Sequence, residues 1–191
     1  MRKFISAILT IFFLGSISYA ANQNDLEKLL QLKNNPSTRL DLSNTDLRNY
    51  TFIPGKVDLQ EANLSHSNLS NCDLSKMNLG KANLQYADLS HAKLNQVNLA
   101  DANLDHTNLS GAELIKTDLS RANLNYANLS KANLQSAILV KATLACTNLS
   151  YANLNQSNFT EANISGATFI NTITTDIVGY DSVLDSKIHC E

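Results

Sequence analysis

Residues 82–106 read ANLQY ADLSH AKLNQ VNLAD ANLDH, which is five consecutive copies of one five-residue unit. The unit is a small residue, a residue that is most often Asn or Asp, a Leu, and two variable residues. Its large apolar centre recurs in steps of five from Leu59 to Phe169, which makes 23 centres, of which 20 are Leu. Ala occupies 14 of the 23 small positions. One structural solution must therefore serve for more than half of the chain.

A period of five matches neither an α-helix, at 3.6 residues, nor a β-strand, at two. A chain that buries two of every five residues and then turns must wind around an axis. If four such sides complete one coil, residues 20 apart stack at the strand spacing of about 4.8 Å.

Residues 20 apart form columns that support a 20-residue coil, although they do not exclude other periods. One column alternates in charge, a second consists almost wholly of Asn, whose stacked amides are favourable in parallel strands, and a third is all Ser. The columns are Glu61, Lys81, Asp101, Arg121, Lys141 and Glu161; Asn63, Asn83, Asn103, Asn123, Thr143 and Asn163; and Ser70, Ser90, Ser110, Ser130 and Ser150.

The phase of the repeat slips by two residues before Leu59. Phe52, Leu47 and Leu42 continue the series of centres backwards in the shifted phase. The slip coincides with the sequence IPGK at residues 53–56, whose Pro-Gly pair favours a turn. We therefore predict a two-residue bulge at this point.

On these residues the chain resembles the pentapeptide-repeat family, whose motif A(D/N)LXX is matched from about residue 40 to residue 170. The resemblance implies an all-β fold, a right-handed quadrilateral β-helix (solenoid), with the Leu and Ala positions pointing inward. Counting 26 centres, four to a coil, gives about 6.5 coils. The segment Leu26–Lys33 also resembles the short helix that caps the N-terminal end in many members of the family.

The first 20 residues have the pattern of a secretory signal peptide. Arg2 and Lys3 precede an apolar stretch from Phe4 to Ile17, and the small residues Ser18 and Ala20 end it. The alternative is an uncleaved anchor, but 14 residues are fewer than the ~20 that span a bilayer. We predict cleavage after Ala20, an exported protein in the periplasm or the medium, and no stable membrane anchor afterwards.

The domain organisation follows from these boundaries. We expect a signal peptide over residues 1–20, an N-terminal helical cap over 21–38, the β-helix over 39–170, and a C-terminal cap or tail over 171–191. In the tail, apolar residues recur at helical spacing, which predicts a capping helix or a dimer contact. They are Ile173, Ile177, Tyr180, Leu184 and Ile188.

The sequence offers little chemistry for catalysis, and we expect no catalytic, cofactor-binding or metal-binding residues. Two of its four His residues, His66 and His106, share a column, but they lie two coils or about 10 Å apart. They therefore cannot bind one metal ion, whose bonds to His nitrogen are about 2 Å. No HExxH, CxxC, P-loop or GxSxG motif is present.

Two outward features are candidate partner surfaces. The column His66, Tyr86, His106, Tyr126 stacks rings along the coil axis, which either forms a rigid ridge for a partner or merely stabilises neighbouring coils. Ile138 and Val140 interrupt the polar outer wall, and they mark a contact with a partner or with the tail.

The three cysteines differ in their predicted positions. Cys72 occupies an inward small position, whereas Cys146 points outward and Cys190 lies in the tail. Cys72 lies 3.7 coils from Cys146, roughly 18 Å along the axis, which is too far for a disulfide. Cys146 and Cys190 are the candidate disulfide, formed if the tail caps the last coil and descends over Ile138 and Val140.

Three functions follow as hypotheses. The first is an exported, non-enzymatic scaffold or adaptor that binds a protein through its rigid surface. The second borrows from the branch of the family whose members imitate DNA and protect DNA gyrase; alternating charge and an export signal disfavour it, so we expect no nucleic-acid partner. The third is a hydrolase with a site on the outer wall, disfavoured because no nucleophile and base are paired.

Overall fold

The computed structural model describes residues 39–179, which form a single β-helix. Neighbouring coils are joined by parallel bridges between residues 20 apart, such as Asn63 with Asn83 and Asn83 with Asn103. Each side contributes one bridging residue before the chain turns, so residues 39–179 contain isolated bridges in place of continuous strands, and no helix. The period of 20 residues is therefore confirmed.

The bridges form four columns, one on each face of the coil, which we call the first to fourth faces in chain order. The first face contains Asp41, Asn63, Asn83, Asn103, Asn123, Thr143 and Asn163; the second contains Asp46, Asn68, Asp88, Asn108, Asn128, Asn148 and Thr168. The third contains Thr51, Asp73, Lys93, Glu113, Asn133, Asn153 and Ile173; the fourth contains Asn78, Asn98, Asp118, Ile138, Asn158 and Val178.

The predicted bulge is also confirmed. The bridges of the first coil, such as Asp46 with Asn68 and Thr51 with Asp73, join residues 22 apart, whereas all later bridges join residues 20 apart. The two extra residues lie in the exposed segment 53–56, where Gly55 has a φ of 77° and the N–H of Lys56 donates to the carbonyl of Ile53. Gly tolerates this left-handed conformation because it has no Cβ.

The interior is a narrow column of Leu and small side chains. The Leu centres from Leu42 to Leu154 are buried almost completely, and so are the Ala residues two positions before them. Ser or Thr at a small position is also buried, and its hydroxyl donates to a backbone carbonyl, as in Thr107 to Leu84 (2.8 Å) and Thr117 to Leu94 (2.6 Å). This hydrogen bond compensates the desolvation of the hydroxyl.

The Asn or Asp before each Leu supports the turn that follows. Its side-chain oxygen accepts the N–H of the residue two positions later, as Asn108 does from Ser110 at 3.2 Å. Many of these side chains also bond to the equivalent residue of the next coil. In the predicted Asn column, the amide of Asn123 donates to the Oδ1 of Asn103 at 3.1 Å, and the hydroxyl of Thr143 donates to Asn123 at 3.1 Å.

One feature of the corners was not expected from the sequence. The second residue after each centre position from Leu42 onward, except Pro54, has a positive φ, and 24 of these residues, from Asn44 to Asp176, are not glycine. Each is the third residue of a β-turn, such as Leu84–Ala87, which the N–H of Ala87 closes onto the carbonyl of Leu84 at 3.0 Å. None of the 24 is Val, Ile or Thr, which this conformation disfavours most.

The β-helix continues beyond its predicted end at residue 170. Ile173 bridges to Asn153 and Val178 bridges to Asn158, and residues 171 to 179 contain no helix. The helical interpretation of Ile173 and Ile177 is therefore wrong. The carbonyls of the preceding coil, such as those of Ala152 and Ser157, accept the N–H groups of Ile173 and Val178, and these bonds prevail over the helical spacing of apolar residues.

Several predictions lie outside the described residues. These are the signal peptide over 1–20, the cap over 21–38, and the remainder of the tail with Tyr180, Leu184, Ile188 and Cys190. Within residues 39–179, no helix is long and apolar enough to cross a membrane.

The left-handed corners predict a preference that can be measured at Lys116, an exposed corner residue with a φ of 57°. Lys116→Val should lower the free energy of unfolding by about 1–2 kcal/mol because a β-branched side chain strains this backbone. Lys116→Gly, the matched control, should change it by less than about 1 kcal/mol since Gly adopts positive φ without strain. Urea denaturation measures both; a Val variant as stable as the Gly variant would contradict the corner geometry.

Candidate interaction surface

The predicted column of rings is stacked in the structure, and we call its four residues, His66, Tyr86, His106 and Tyr126, the ring ladder. The ring centroids of successive residues are 5.0, 4.8 and 4.8 Å apart. The interplanar angles are 11°, 30° and 21°, so each ring lies over the next. The spacing equals the separation of neighbouring strands, because each ring is carried by one coil.

The corner geometry explains why these rings are exposed. All four residues are third residues of turns with a φ of 56–58°, at the edge between the first and second faces. Tyr86 and Tyr126 are 48% and 54% exposed, which leaves about half of each side chain accessible to a partner. The same column continues to Asn44 below the ladder and to Cys146 above it.

A carboxylate beside the ladder positions one of its rings. The Oδ2 of Asp105 lies 2.9 Å from the Nδ1 of His106, and the same oxygen accepts the side-chain amide of Gln85 at 2.8 Å. The carboxylate of Asp105 therefore lies against the imidazole of His106 and accepts a hydrogen bond from the side chain of Gln85.

The described part of the chain offers no enclosed site for a small molecule or a metal. Its interior is filled by the buried Leu column, and residues 39–179 include no group of three or more His, Cys, Asp or Glu that could hold a metal ion. An open cavity of about 300 Å³ lies near the N-terminal end. It is lined by Arg39, Leu40, Asp41, Asn63 and Asn83.

The alternating charge column forms ion pairs at the corner after the fourth face. Lys81 pairs with Glu61 at 3.6 Å, Arg121 with Asp101 at 2.7 Å, and Lys141 with Glu161 at 3.5 Å. The hydrogen bond from Arg121 lowers the pKa of Asp101 below its usual value. The acidic groups of this corner are thus neutralised by neighbours one coil away, and they do not form a continuous acidic surface.

Apolar side chains are exposed at two places on the outer wall. Ile138 is 41% exposed between Asp118 and Asn158 on the fourth face, with the partly buried Val140 beside it. The last described coil exposes three more apolar side chains, of which only Ile173 was predicted to take part in a cap or a dimer contact. They are Ile170, Ile173 and Val178, at positions where earlier coils mostly place polar residues.

The cysteines agree with their predicted positions as far as the structure describes them. Cys72 is a free, buried thiol that donates to the carbonyl of Leu47 at 2.7 Å, and burial raises its pKa to about 12. Cys146 is disulfide-bonded. Cys190 lies outside the described residues, so its pairing with Cys146 stays a prediction.

Comparison with known proteins places this architecture in a family. The family model of pentapeptide repeats matches in eight copies over residues 58–96, 98–135 and 137–173, which is more than half of the chain. A search among curated proteins finds no match.

Similar solved structures include one from a plant and one from a cyanobacterium. A pentapeptide repeat protein from the thylakoid lumen of Arabidopsis thaliana is 27% identical, with a TM-score of 0.53, over 60% of this chain and 86% of that one. HetL from Nostoc sp. strain PCC 7120, a pentapeptide repeat protein involved in heterocyst differentiation regulation, is 22% identical, with a TM-score of 0.33, over 84% and 98%. The matched repeats, the four-sided coil and the buried Leu column together show that this chain belongs to the pentapeptide-repeat family.

Proposed function

We propose that this protein is an exported, non-enzymatic scaffold or adaptor that binds other proteins through the rigid outer surface of its β-helix. The ring ladder is the observation that carries the proposal. Four stacked rings, each exposed at a corner, are held in register by the coils beneath them. Aromatic side chains are enriched at protein interfaces, where they supply contact area at a low entropic cost.

The coil beneath the ladder is rigid enough to present a fixed surface. The N–H of Tyr86 donates to the carbonyl of Asp105, and the N–H of His106 donates to that of Asn125, so each corner is bonded to the next coil. The carboxylate of Asp105 also lies against the ring of His106, 2.9 Å from its Nδ1. Side chains that are ordered before binding lose little conformational entropy on binding, which favours affinity.

The alternative functions receive less support. Asp105 and His106 form an acid–base pair, but rings stack on both sides of the imidazole, and a hydrolase would also need a nucleophile within about 3 Å of the base. A DNA mimic needs a continuous acidic face, whereas Glu61, Asp101 and Glu161 are each paired with a cation one coil away.

We also infer that both ends of the coil are capped and that the coil is right-handed and about seven turns long, because the bridges of Ile173 and Val178 add two sides to the predicted 6.5 turns. Open ends of stacked strands expose unpaired backbone groups and invite growth from one molecule to the next. Residues 21–38 are the candidate cap at one end. The segment after Gly179 is the candidate cap at the other, next to the exposed Ile170 and Val178, and a disulfide between Cys146 and Cys190 would secure it. Dimerisation through this C-terminal segment is the alternative to a cap.

Export rests on the sequence of residues 1–20, and a relative from the thylakoid lumen, the 27% identical plant protein, is consistent with a role outside the cytoplasm. The mature protein should begin at Ala21 because the small residues Ser18 and Ala20 meet the requirements of signal peptidase. Intact-mass analysis of the protein from its native host measures the start of the chain. A full-length species that remains in the membrane fraction would refute export by cleavage.

A partner that binds the ring ladder should be captured from that corner and from no other. We would place a photo-crosslinking amino acid at position 126 in the native host and identify the products by mass spectrometry. The matched control is position 151, because Tyr151 is also an exposed corner tyrosine, with a φ of 62°, but lies outside the ladder. One reproducible protein captured at position 126 and absent at 151 is expected. Equal capture at both positions, or none at 126, would contradict the proposed surface.

A further inference from the structure

The order of the residues in the ring ladder makes it complementary to itself. Read along the coil axis, the ladder is His66, Tyr86, His106, Tyr126; read in the opposite direction, it is Tyr, His, Tyr, His. We infer that the ring ladder is the contact of an antiparallel, side-by-side dimer of this chain. The inference rests on the proposed function only in that it names a second copy as one partner of the same surface.

A two-fold axis perpendicular to the coil, passing between Tyr86 and His106, generates this dimer. It places His66 opposite Tyr126 of the partner subunit, and Tyr86 opposite His106 of the partner subunit. All four rungs then pair an imidazole with a phenol. A closed two-fold contact of this kind uses the same patch on both copies, which is the commonest symmetry of soluble oligomers.

The pairing of rings is chemically favourable at each rung. A phenol O–H donates a hydrogen bond, and a neutral imidazole has one acceptor nitrogen. In His106 the carboxylate of Asp105 lies 2.9 Å from Nδ1, so the phenol is expected to meet Nε2. The alternative parallel arrangement places His opposite His and Tyr opposite Tyr, which gives no such fixed pairing of donor and acceptor.

The register matches along the whole contact because both copies have the same repeat. Successive rings are 4.8–5.0 Å apart in each copy, so all four rungs align without distortion. A DNA strand would not stay in register with the ladder. Its bases are about 3.4 Å apart, so over three steps they fall behind the rings by roughly 4 Å.

The columns beside the ladder are complementary under the same axis. On the first face, Gln85 lies opposite Asp105 of the partner subunit, which pairs an amide donor with a carboxylate. On the second face, Asp88 lies opposite Asn108 of the partner subunit, which again pairs a carboxylate with an amide. Ser65 and Asn125, the other residues of the first column, are neutral. The axis therefore places no two like charges opposite each other on the same rung within these four coils.

The area of the contact predicts a weak dimer. A fully buried aromatic side chain contributes about 150–250 Å², so four half-exposed rings supply roughly 400 Å² per copy. A stable complex buries about 800 Å² per partner, and smaller contacts are typical of transient ones. The dimer should therefore form in a concentration-dependent way.

Sedimentation equilibrium of the protein purified from the cells that produce it, up to about 1 mM, measures the dissociation constant. We expect a monomer–dimer equilibrium in this range, and the double variant Tyr86→Ser with Tyr126→Ser should weaken it at least tenfold. Tyr151→Ser, the matched control, should change it less than twofold since Tyr151 lies on another corner. A wild-type protein that is monomeric throughout, or a double variant that dimerises as well as the wild type, overturns the inference.

An exchange of residues tests the pairing itself. The variant His66→Tyr with His106→Tyr carries four phenols, and the variant Tyr86→His with Tyr126→His carries four imidazoles. Both residue types already occupy these corners at a φ of 56–58°, so the exchange introduces no backbone strain. A mixture of the two variants restores an imidazole opposite a phenol at every rung and should dimerise at least tenfold more tightly than either variant alone.

The failure of this inference is distinguishable from that of the proposed function. A mixture that dimerises no better than its components contradicts the antiparallel pairing. A strictly monomeric protein whose position 126 still crosslinks to another protein contradicts the dimer and leaves the scaffold role intact. A protein that dimerises through the ladder, with no other protein captured at position 126, supports the dimer and contradicts the adaptor role at this surface.

Discussion

The backbone hydrogen bonds between neighbouring coils, whose bridging residues are 20 apart, are the interaction on which this molecule depends. Each coil donates to and accepts from its neighbours through one bridging residue on each face. The N–H of Asn83 donates to the carbonyl of Ala62 in the coil below, and the carbonyl of Asn83 accepts the N–H of Leu64 from that same coil. A single coil cannot bury its own Leu centres, so the repeats are stable only as a stack. The left-handed corner residues make these bonds possible, because they turn the chain sharply enough to return after 20 residues.

The same register determines the chemistry of the surface. Residues 20 apart are forced into contact, so any pattern with this period becomes a column of interacting side chains. Glu61 meets Lys81 as an ion pair, Asn103 meets Asn123 as a hydrogen bond, and Tyr86 meets His106 as a stacked pair. Function on such a fold comes from the choice of residues in a column, since the filled interior offers no cavity for chemistry. The ring ladder is a column of exposed side chains that are stacked in register.

The sequence predicted the parts of the structure that repeat, and it did so for a physical reason. Burial of Leu every five residues, the two-residue bulge before Leu59 and the stacked columns all follow from the spacing of residue types, which the structure confirms. The left-handed corners were not predicted because side chains as different as Tyr86, Lys116 and Asp101 all occupy them. The signal was an absence of Val, Ile and Thr at that position, which a search for shared residues does not reveal.

The end of the repeat shows the limit of pattern recognition. Ile173 and Ile177 have helical spacing, and Thr174 stands where the motif would place its next Leu, yet the chain completes two more sides. The backbone carbonyls of the previous coil accept hydrogen bonds from this segment. The spacing of apolar residues within the segment contains no information about those carbonyls. The same limit applies to the candidate surfaces. The periodicity of the sequence predicted the ring ladder, whereas the exposure of Ile170 and Val178 could be recognised only from the structure of the last coil.

The stability of two internal deletions tests the 20-residue register most directly. Removal of residues 92–111 takes out one whole coil and joins His91 to Ala112 in the original phase, whereas removal of residues 92–113 shortens one side by two further residues. We expect the first deletion to fold and to unfold cooperatively in urea. It should be somewhat less stable than the full chain, because the stability of a stack is roughly the sum over its repeats and their contacts. We expect the second deletion to lose its cooperative transition, since a side of three residues cannot span the face. Equal stability of the two deletions would contradict the register on which the account depends.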